Sequence, residues 1–359
     1  MSTQRVAVIF GGRSSEHSIS CISAAAVWEA LLSSGYEVVP VAITPQAQMV
    51  LFEGEPSDLR GQSLPVVDRG ATSVVVSNDS RSSGLLVDGQ IQKVDVVFPV
   101  LHGPWGEDGT IQGLLEMAGL PYVGSGVLAS ALCMDKITLK VLLRASGIAV
   151  ADWVAIDARS DMAQALDRAK ELGPVVFVKP SRAGSSVGIT RVDVDTEGRA
   201  GIERAVRIAQ EFDPRVIVEA GVVQAREIEC GVRQDAAGVI ESSKIAEIVV
   251  RDDFDFYDFN AKYVSNGAEL VVPADVPEAL ADRIRDLARR CFIEIGCEGL
   301  ARVDFFVRGE EIVVNEVNTM PGFTPISMYP RMWEASGVPY AELVDSLIRE
   351  ALARPNGLR

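Results

Sequence analysis

The sequence predicts an α/β fold of two or three domains, and three observations carry that expectation. Short apolar β-rich runs alternate with helical stretches in the first third of the chain, the pattern of a small layer built on a parallel sheet. Glycine-rich turns stand where a strand hands over to a helix. A chain of 359 residues also exceeds what a single core usually serves.

RVAVIF at 5–10 forms a first strand ending in Gly11-Gly12, followed by a helix from Ser18 to Leu32 and a strand from Glu37 to Ile43. The Gly-Gly turn is expected to open onto a Ser-capped helix N-terminus. A strand from Val94 to Val100 precedes LHGPWGEDG and a helix from Thr110 to Ala118. Between them, residues 45–93 are rich in Gly, Ser, Pro and Asp and hold short strand-like pieces, TSVVVS and GLLVDGQ, which suggest a peripheral insertion. After Met134 come a helix from Lys136 to Arg144, strands at Val175–Lys179 and Ile189–Val192 joined by PSRAGSSVG, a helix from Gly201 to Glu211 and a strand from Val216 to Glu219. The rest is strand-rich until a helix from Pro277 to Gly296, a hairpin in ARVDFFVRGEEIVVNEVN and a terminal helix from Pro339 to Ala353.

Composition excludes several functions. No apolar run approaches the about 18 residues of a membrane span, and the N-terminus lacks the layout of a signal peptide, so a cytoplasmic protein without a membrane partner is expected. Five scattered cysteines without a CxxC pair suggest reduced, mostly buried thiols. Two histidines argue against a histidine-based zinc site. A net charge of −16 disfavours nucleic acid and would repel a polyphosphate unless local cations reverse the sign.

Chemistry concentrates in the hairpin. A three-residue loop at Gly309–Glu311 would set Arg308 against Ile312, Asp304 against Glu316 and Arg302 against Asn318, all four of the last on one face. Val303, Phe305, Val313 and Val317 would fall on the other; a two-residue loop would move Asp304 to the wrong face. Facing acids repel unless something positive lies between them, and oxygen-only donors favour Mg²⁺ or Mn²⁺. Arg302 paired with these carboxylates in a salt-bridged face is the competing explanation. FVKPSRAGSSVGIT places Lys179 at a strand end before a loop of glycines and serines, including Ser185 and Ser186, that suits phosphate oxygens or is an ordinary flexible turn. Lys136 is a second candidate phosphate partner. Glu16 and His17, beside the first glycine turn, could grip a small zwitterion.

In combination these motifs resemble the D-alanine–D-alanine ligase family of the ATP-grasp superfamily. The resemblance runs through GGRSSEHSIS, LHGPWGEDGTIQGLLE, MDKITLK, FVKPSRAGSSVGI, REIECGV, FYDFNAKY, ARVDFF and NEVNTMPGFTPIS, covering essentially the whole chain. It implies an α/β (α+β) architecture of three domains: residues 1–134 for substrate, 135–225 and 226–359 clamping ATP, and an active-site loop at 251–266. It implies joining of two D-alanine molecules at the expense of ATP, through an acyl phosphate, for peptidoglycan precursors of the cell wall. Lys136, Lys179 and Ser186 would contact ATP phosphates, and Glu219 and Glu227 the adenine and ribose. Asp304, Glu316 and Asn318 would hold two Mg²⁺ ions, with Mn²⁺ a substitute. Glu16 would bind the first ammonium, with His102 and Lys262 nearby. Arg302 and the Gly322 N–H would stabilise the oxyanion, Ser327 would receive the second carboxylate, and Tyr263 would link with Glu16 and Ser185. Tyrosine at 263 favours an amine over D-lactate as acceptor. A homodimer is the family expectation. Ala220, where a lysine is common, and Trp105 depart from the pattern. Another acid–amine ligase and a catalytically dead nucleotide sensor are the rival readings.

Overall fold

The structure, a computed structural model, describes residues 3–60, 64–79, 83–250 and 268–355. Lys262, Tyr263 and the proposed loop around them lie outside the described residues.

The first sheet begins with β1 (Arg5–Gly11), followed by α1 (His17–Ser33), β2 (Glu37–Ile43) and β3 (Met49–Leu51). A three-stranded antiparallel sheet follows, β4 (Val74–Val76), β5 (Leu85–Val87) and β6 (Gln90–Gln92), and then β7 (Val96–Val100). β1 lies between β2 and β7 and is parallel to both, with β3 as an antiparallel edge. This is the parallel layer the alternation predicts. Within residues 45–93, Val74, Val76, Leu85 and Val87 are buried against Ala7 and Ile9, so the small sheet covers one face of the larger one. The other face packs on α1 through Cys21, Ala24, Val27 and Leu31. α1 has no serine cap: Glu16 stands at its N-cap, and the Ser14 hydroxyl instead accepts from the Glu16 amide.

α2 (Thr110–Ala118), α3 (Val127–Met134) and α4 (Lys136–Ala145) lead to a second sheet. It comprises β8 (Trp153–Ile156), β9 (Val175–Pro180), β10 (Thr190–Asp193) and β11 (Val216–Ala220), all antiparallel in the order β10-β9-β11-β8. α5 (Met162–Lys170) and α6 (Val194–Gln210) cover one face. α6 starts seven residues earlier than its sequence suggests, because Gly198 at φ 58° breaks it and hides the first turn's periodicity.

The third sheet, in the order β14-β13-β12-β15-β16, contains β12 (Arg226–Gln234), β13 (Ile240–Val250), β14 (Ala268–Val271), β15 (Leu300–Arg308) and β16 (Glu311–Asn318). α7 (Glu278–Ile295) packs on its apolar face, where Val303, Phe305, Val307, Val314 and Val317 are buried. Burying each such side chain contributes about 1.5–3 kcal/mol, which pins the register and leaves the polar face open to a cleft. α8 (Met328–Ala335) and α9 (Tyr340–Ala353) close the chain, and Leu343, Val344, Leu347 and Ile348 of α9 return to the core of the first sheet.

The hairpin corrects two expectations. Arg308 pairs with Glu311 rather than Ile312, so the loop has two residues, not three. Phe305 pairs with Val314 and Asp304 with Glu316, so Asn315 is an extra residue, a β-bulge. The bulge restores the pairs Asp304–Glu316 and Arg302–Asn318 that a two-residue turn alone would forfeit. It also exchanges neighbours: Val314, not Val313, shares the buried face with Phe305, and Val313 lies opposite Phe306.

Candidate active site

The open face of the third sheet carries two polar rows across its strands. Glu229 on β12 stands beside Asp304 on β15, which stands beside Glu316 on β16; Gly231, Arg302 and Asn318 form the next row. Arg302 turns along its own strand toward the first row. Its Nε and Nη2 donate to the two oxygens of Asp304, each at 2.7 Å, and Nε lies 3.3 Å from Glu229. Burial opposes that guanidinium's charge, but Asp304 and Glu229 outweigh it and hold the proton well above the usual arginine range. Asn318 Nδ2 donates to Asp304 at 3.0 Å. The salt-bridged face weighed against a metal in the sequence is therefore present in this geometry.

A second cluster lies at the meeting of α4 with β9 and β11. Asp135 caps α4 by accepting from the Thr138 amide, and its own position is held by Ser181 and Arg215. That capped turn projects Lys136, whose Nζ donates to the carbonyl of Ala183 at 2.8 Å and lies 4.0 Å from Glu316. Lys179 at the end of β9 donates to Glu219 at 2.6 Å, and Lys140 reaches the other oxygen of Glu219 at 3.0 Å. Burial pushes the Glu219 carboxyl up, yet Lys140 and Lys179 together bring it down to about 2. Burial lowers Lys140 below the ordinary lysine range.

The glycine-rich loop joins these clusters to the first sheet. Ser185 and Ser186 hold left-handed backbone at φ 50° and 58°, costing about 1–2 kcal/mol each where only the surroundings enforce it. Ser185 donates a short hydrogen bond to Glu16. A Cβ on Gly103 would lie 2.7 Å from Glu16, and one on Gly184 3.1 Å, so two loops bracket that carboxylate. His102 Nδ1 donates to the Met320 carbonyl at 3.0 Å, which leaves Nε2 to accept from Ser23. Burial lowers the His102 imidazole below its ordinary range, which favours this neutral form. Glu107 accepts from the amides of Gly103 and Met320 at 2.7 and 3.2 Å. Both ends of the Met320 residue are thus held from the LHGPWGEDG loop, immediately before Pro321 and Gly322. Burial, reinforced by the nearby Glu16 charge, raises the Glu107 carboxyl to about 8.

Both clusters and the loops border one cleft of about 650 Å³. Glu16, His102, Lys136, Lys179, Ser185, Ser186, Glu219, Glu227, Arg302, Asp304, Glu316, Asn318 and Gly322 line it, so the structure brings these expected residues together. Ser327 is not part of that lining; its hydroxyl accepts from the Thr324 amide at 3.1 Å and lies 3.2 Å from where a Gly322 Cβ would stand. Glu107, Lys140 and Glu229 were missed. Lys140 repeats Lys136 four residues on, and Glu229 shares the face of Glu227, so spacing alone could have found both; Glu107 gave no such signal. The five cysteines are free and buried, as their scatter suggests. Among the described residues no group of three or more His, Cys, Asp or Glu is arranged to hold a metal, and no helix is long and apolar enough to cross a membrane.

Comparison with known proteins gives a consistent result. Residues 5–125 match the family model described as D-ala D-ala ligase N-terminus, and residues 142–349 the one described as D-ala D-ala ligase C-terminus. The D-alanine--D-alanine ligase of Nocardia farcinica is 50% identical, covering 99% of this chain and 99% of its own. That of Rhodococcus jostii is 51% identical, covering 99% and 98%. Among solved structures, the VanG D-Ala:D-Ser ligase of Enterococcus faecalis aligns with a TM-score of 0.85 at 36% identity, over 98% of this chain and 100% of that one. The D-alanine-D-alanine ligase of Coxiella burnetii aligns with a TM-score of 0.82 at 33% identity, over 98% and 94%.

Proposed function

The chain belongs to the D-alanine–D-alanine ligase family, and from that premise we propose that its cleft joins two D-alanine molecules with ATP as the energy source. It is an ATP-dependent ligase supplying the dipeptide for peptidoglycan. The observation that carries the reading is the meeting of two oppositely charged clusters in one cleft. The lysines Lys136 and Lys179 suit a triphosphate, and the row Glu229–Asp304–Glu316 suits the cations that accompany it.

The lining as a whole supports the need for such cations. It holds eight Asp and Glu side chains, Glu107 protonated among them, against five Lys and Arg side chains, so a triphosphate entering alone would meet an acidic wall. Asp304, Glu316 and Asn318 offer hard oxygen donors on adjacent strands, the chemistry Mg²⁺ or Mn²⁺ selects. Arg302 uses one lone pair on each Asp304 oxygen and leaves others for a cation. Turning the Asn318 amide would present its oxygen instead of Nδ2. The residues therefore fit two divalent ions, whose chemistry is to neutralise phosphate oxygens as charge shifts among them.

The chain's own groups position and stabilise the substrates. Glu16, held by Ser185 and bracketed by Gly103 and Gly184, receives the ammonium of the first D-alanine, with neutral His102 beside it. A carboxylate oxygen of that first D-alanine attacks the γ-phosphorus, ADP departs and an acyl phosphate forms. The amine of the second D-alanine then attacks the acyl carbon. The amine loses a proton, and phosphate leaves with the former carboxylate oxygen. Arg302 and the Gly322 N–H carry the tetrahedral oxyanion, Arg302 being fixed beforehand by Asp304 and Glu229. Glu107 and His102 fix Met320 and so aim Gly322. Glu219 and Glu227 serve the adenine and ribose, and Ser327 takes the second carboxylate. A homodimer in the cytoplasm is the family's form. Three regions, 1–134, 135–225 and 226–359, with ATP between the last two, describe the working parts.

D-serine as acceptor is the second reading, favoured by the 36% identical D-Ala:D-Ser ligase. ADP release with ATP and Mg²⁺ tests the first: D-alanine should support turnover, and L-alanine or D-serine alone should not. Equal rates with L-alanine would defeat the stereochemical assignment.

A further inference from the structure

Lys140 has no role in the reaction as described, yet it is the most buried lysine at the site, 1% exposed, and lies behind the cleft wall. It sits one helical turn beyond Lys136 on α4, on the same face, and points beneath the cleft toward Glu219. Glu219 is pinned between two ammoniums, Lys140 on one oxygen and Lys179 on the other. Of these three groups Lys179 and Glu219 reach the cleft.

A buried carboxylate needs a counter-charge. With two ammoniums the triad carries one net positive charge, and Lys140 alone can keep Glu219 neutralised when Lys179 turns to another anion. With Lys179 alone the pair is neutral, and drawing Lys179 away would strand a buried anion. We propose that Lys140 is a positioning residue for nucleotide binding: by holding Glu219 it leaves the Lys179 ammonium available to the triphosphate. This inference rests on the nucleotide reading above. It differs from a packing role because it ties Lys140 to phosphate affinity through the charge of Glu219, not through the volume it fills.

Calorimetric titration of the full chain with Mg·ATP and with magnesium tripolyphosphate, which lacks the adenine, tests it. Lys140→Met should weaken both by about tenfold or more, while KM for D-alanine moves less than about twofold. Lys140→Arg should stay close to wild type. Lys140→Met combined with Glu219→Gln restores the net charge of the triad, so tripolyphosphate affinity should return to within about threefold of wild type. A Lys140→Met protein that binds both ligands like wild type overturns the inference, as does a double variant as weak as the single one. Should the single variant not fold, the double variant decides alone by the same criterion. A wild-type protein that binds neither ligand overturns the nucleotide reading and this inference with it.

Discussion

Replacing Glu316 with glutamine separates the cation site from the scaffold that carries it. The Glu316 side chain is 27% exposed and lies 4.0 Å from Lys136. An ion pair that long and that open contributes at most about 1 kcal/mol to folding, and the attraction of Glu316 to Arg302 adds to it, so the variant should unfold within about 2 kcal/mol of wild type. In the reaction, the same carboxylate is one of three oxygen donors for the divalent ions. Losing several kcal/mol of charge stabilisation there, about 4, corresponds to roughly a thousandfold in kcat. Asp304→Asn reverses the balance. Both Asp304 oxygens accept from the buried Arg302, and removing that charge takes away the guanidinium's strongest partner and leaves it the weaker pull of Glu229 at 3.3 Å and of Glu316. That change should cost about 3–5 kcal/mol of stability in addition to activity. Coupled ADP-release kinetics at saturating Mg²⁺, with urea denaturation of the same preparations, reads both quantities. Glu316→Gln enzyme retaining more than a tenth of wild-type turnover would refute the metal argument. Asp304→Asn unfolding like Glu316→Gln would refute the account of Arg302.

Three further outcomes are expected. Glu107 keeps its proton to about pH 8 in the fold but only to the ordinary glutamate range when unfolded. Its contribution to stability is therefore fully present below about pH 4.5 and is lost as pH rises to 8, at about 1.4 kcal/mol per unit. Denaturation of wild type and Glu107→Gln across that range should show the glutamine variant gaining relative stability with pH; parallel curves would contradict it. Gly11 has φ 88°, and a Cβ there would lie 2.5 Å from the Ile43 carbonyl, so Gly11→Ala should destabilise by at least about 2 kcal/mol, read as a lowered urea midpoint. Glu16→Gln removes the anion that Ser185 holds and should lower kcat/KM for the first D-alanine by about thirtyfold, near 2 kcal/mol, with the ATP KM little changed in initial-rate assays.

Much of this architecture was legible in the sequence because patterning and packing agree. The runs at 5–10, 37–43 and 94–100 are β-rich and flanked by glycine turns, and they form the parallel layer they predict. The facing pairs Asp304–Glu316 and Arg302–Asn318 were also legible, but for an incomplete reason: alternation reveals faces, whereas a two-residue turn compensated by a bulge at Asn315 leaves no mark in alternation. Elements with weak periodicity were lost, among them the short α3 and the first turns of α6 before Gly198. The charged site was legible where residues cluster in sequence. It was not where long-range packing decides protonation or pairing, as for Glu107 against Met320 or Lys140 against Glu219. No periodicity encodes a contact between residues 213 positions apart.

The central claim is that ATP activates one alanine carboxylate so that an amine can displace phosphate from it. D-alanine labelled with ¹⁸O in both carboxylate oxygens tests this directly, with the released inorganic phosphate analysed by mass spectrometry. The account predicts one ¹⁸O atom in each phosphate formed during dipeptide synthesis; dipeptide accompanied by unlabelled phosphate would contradict it.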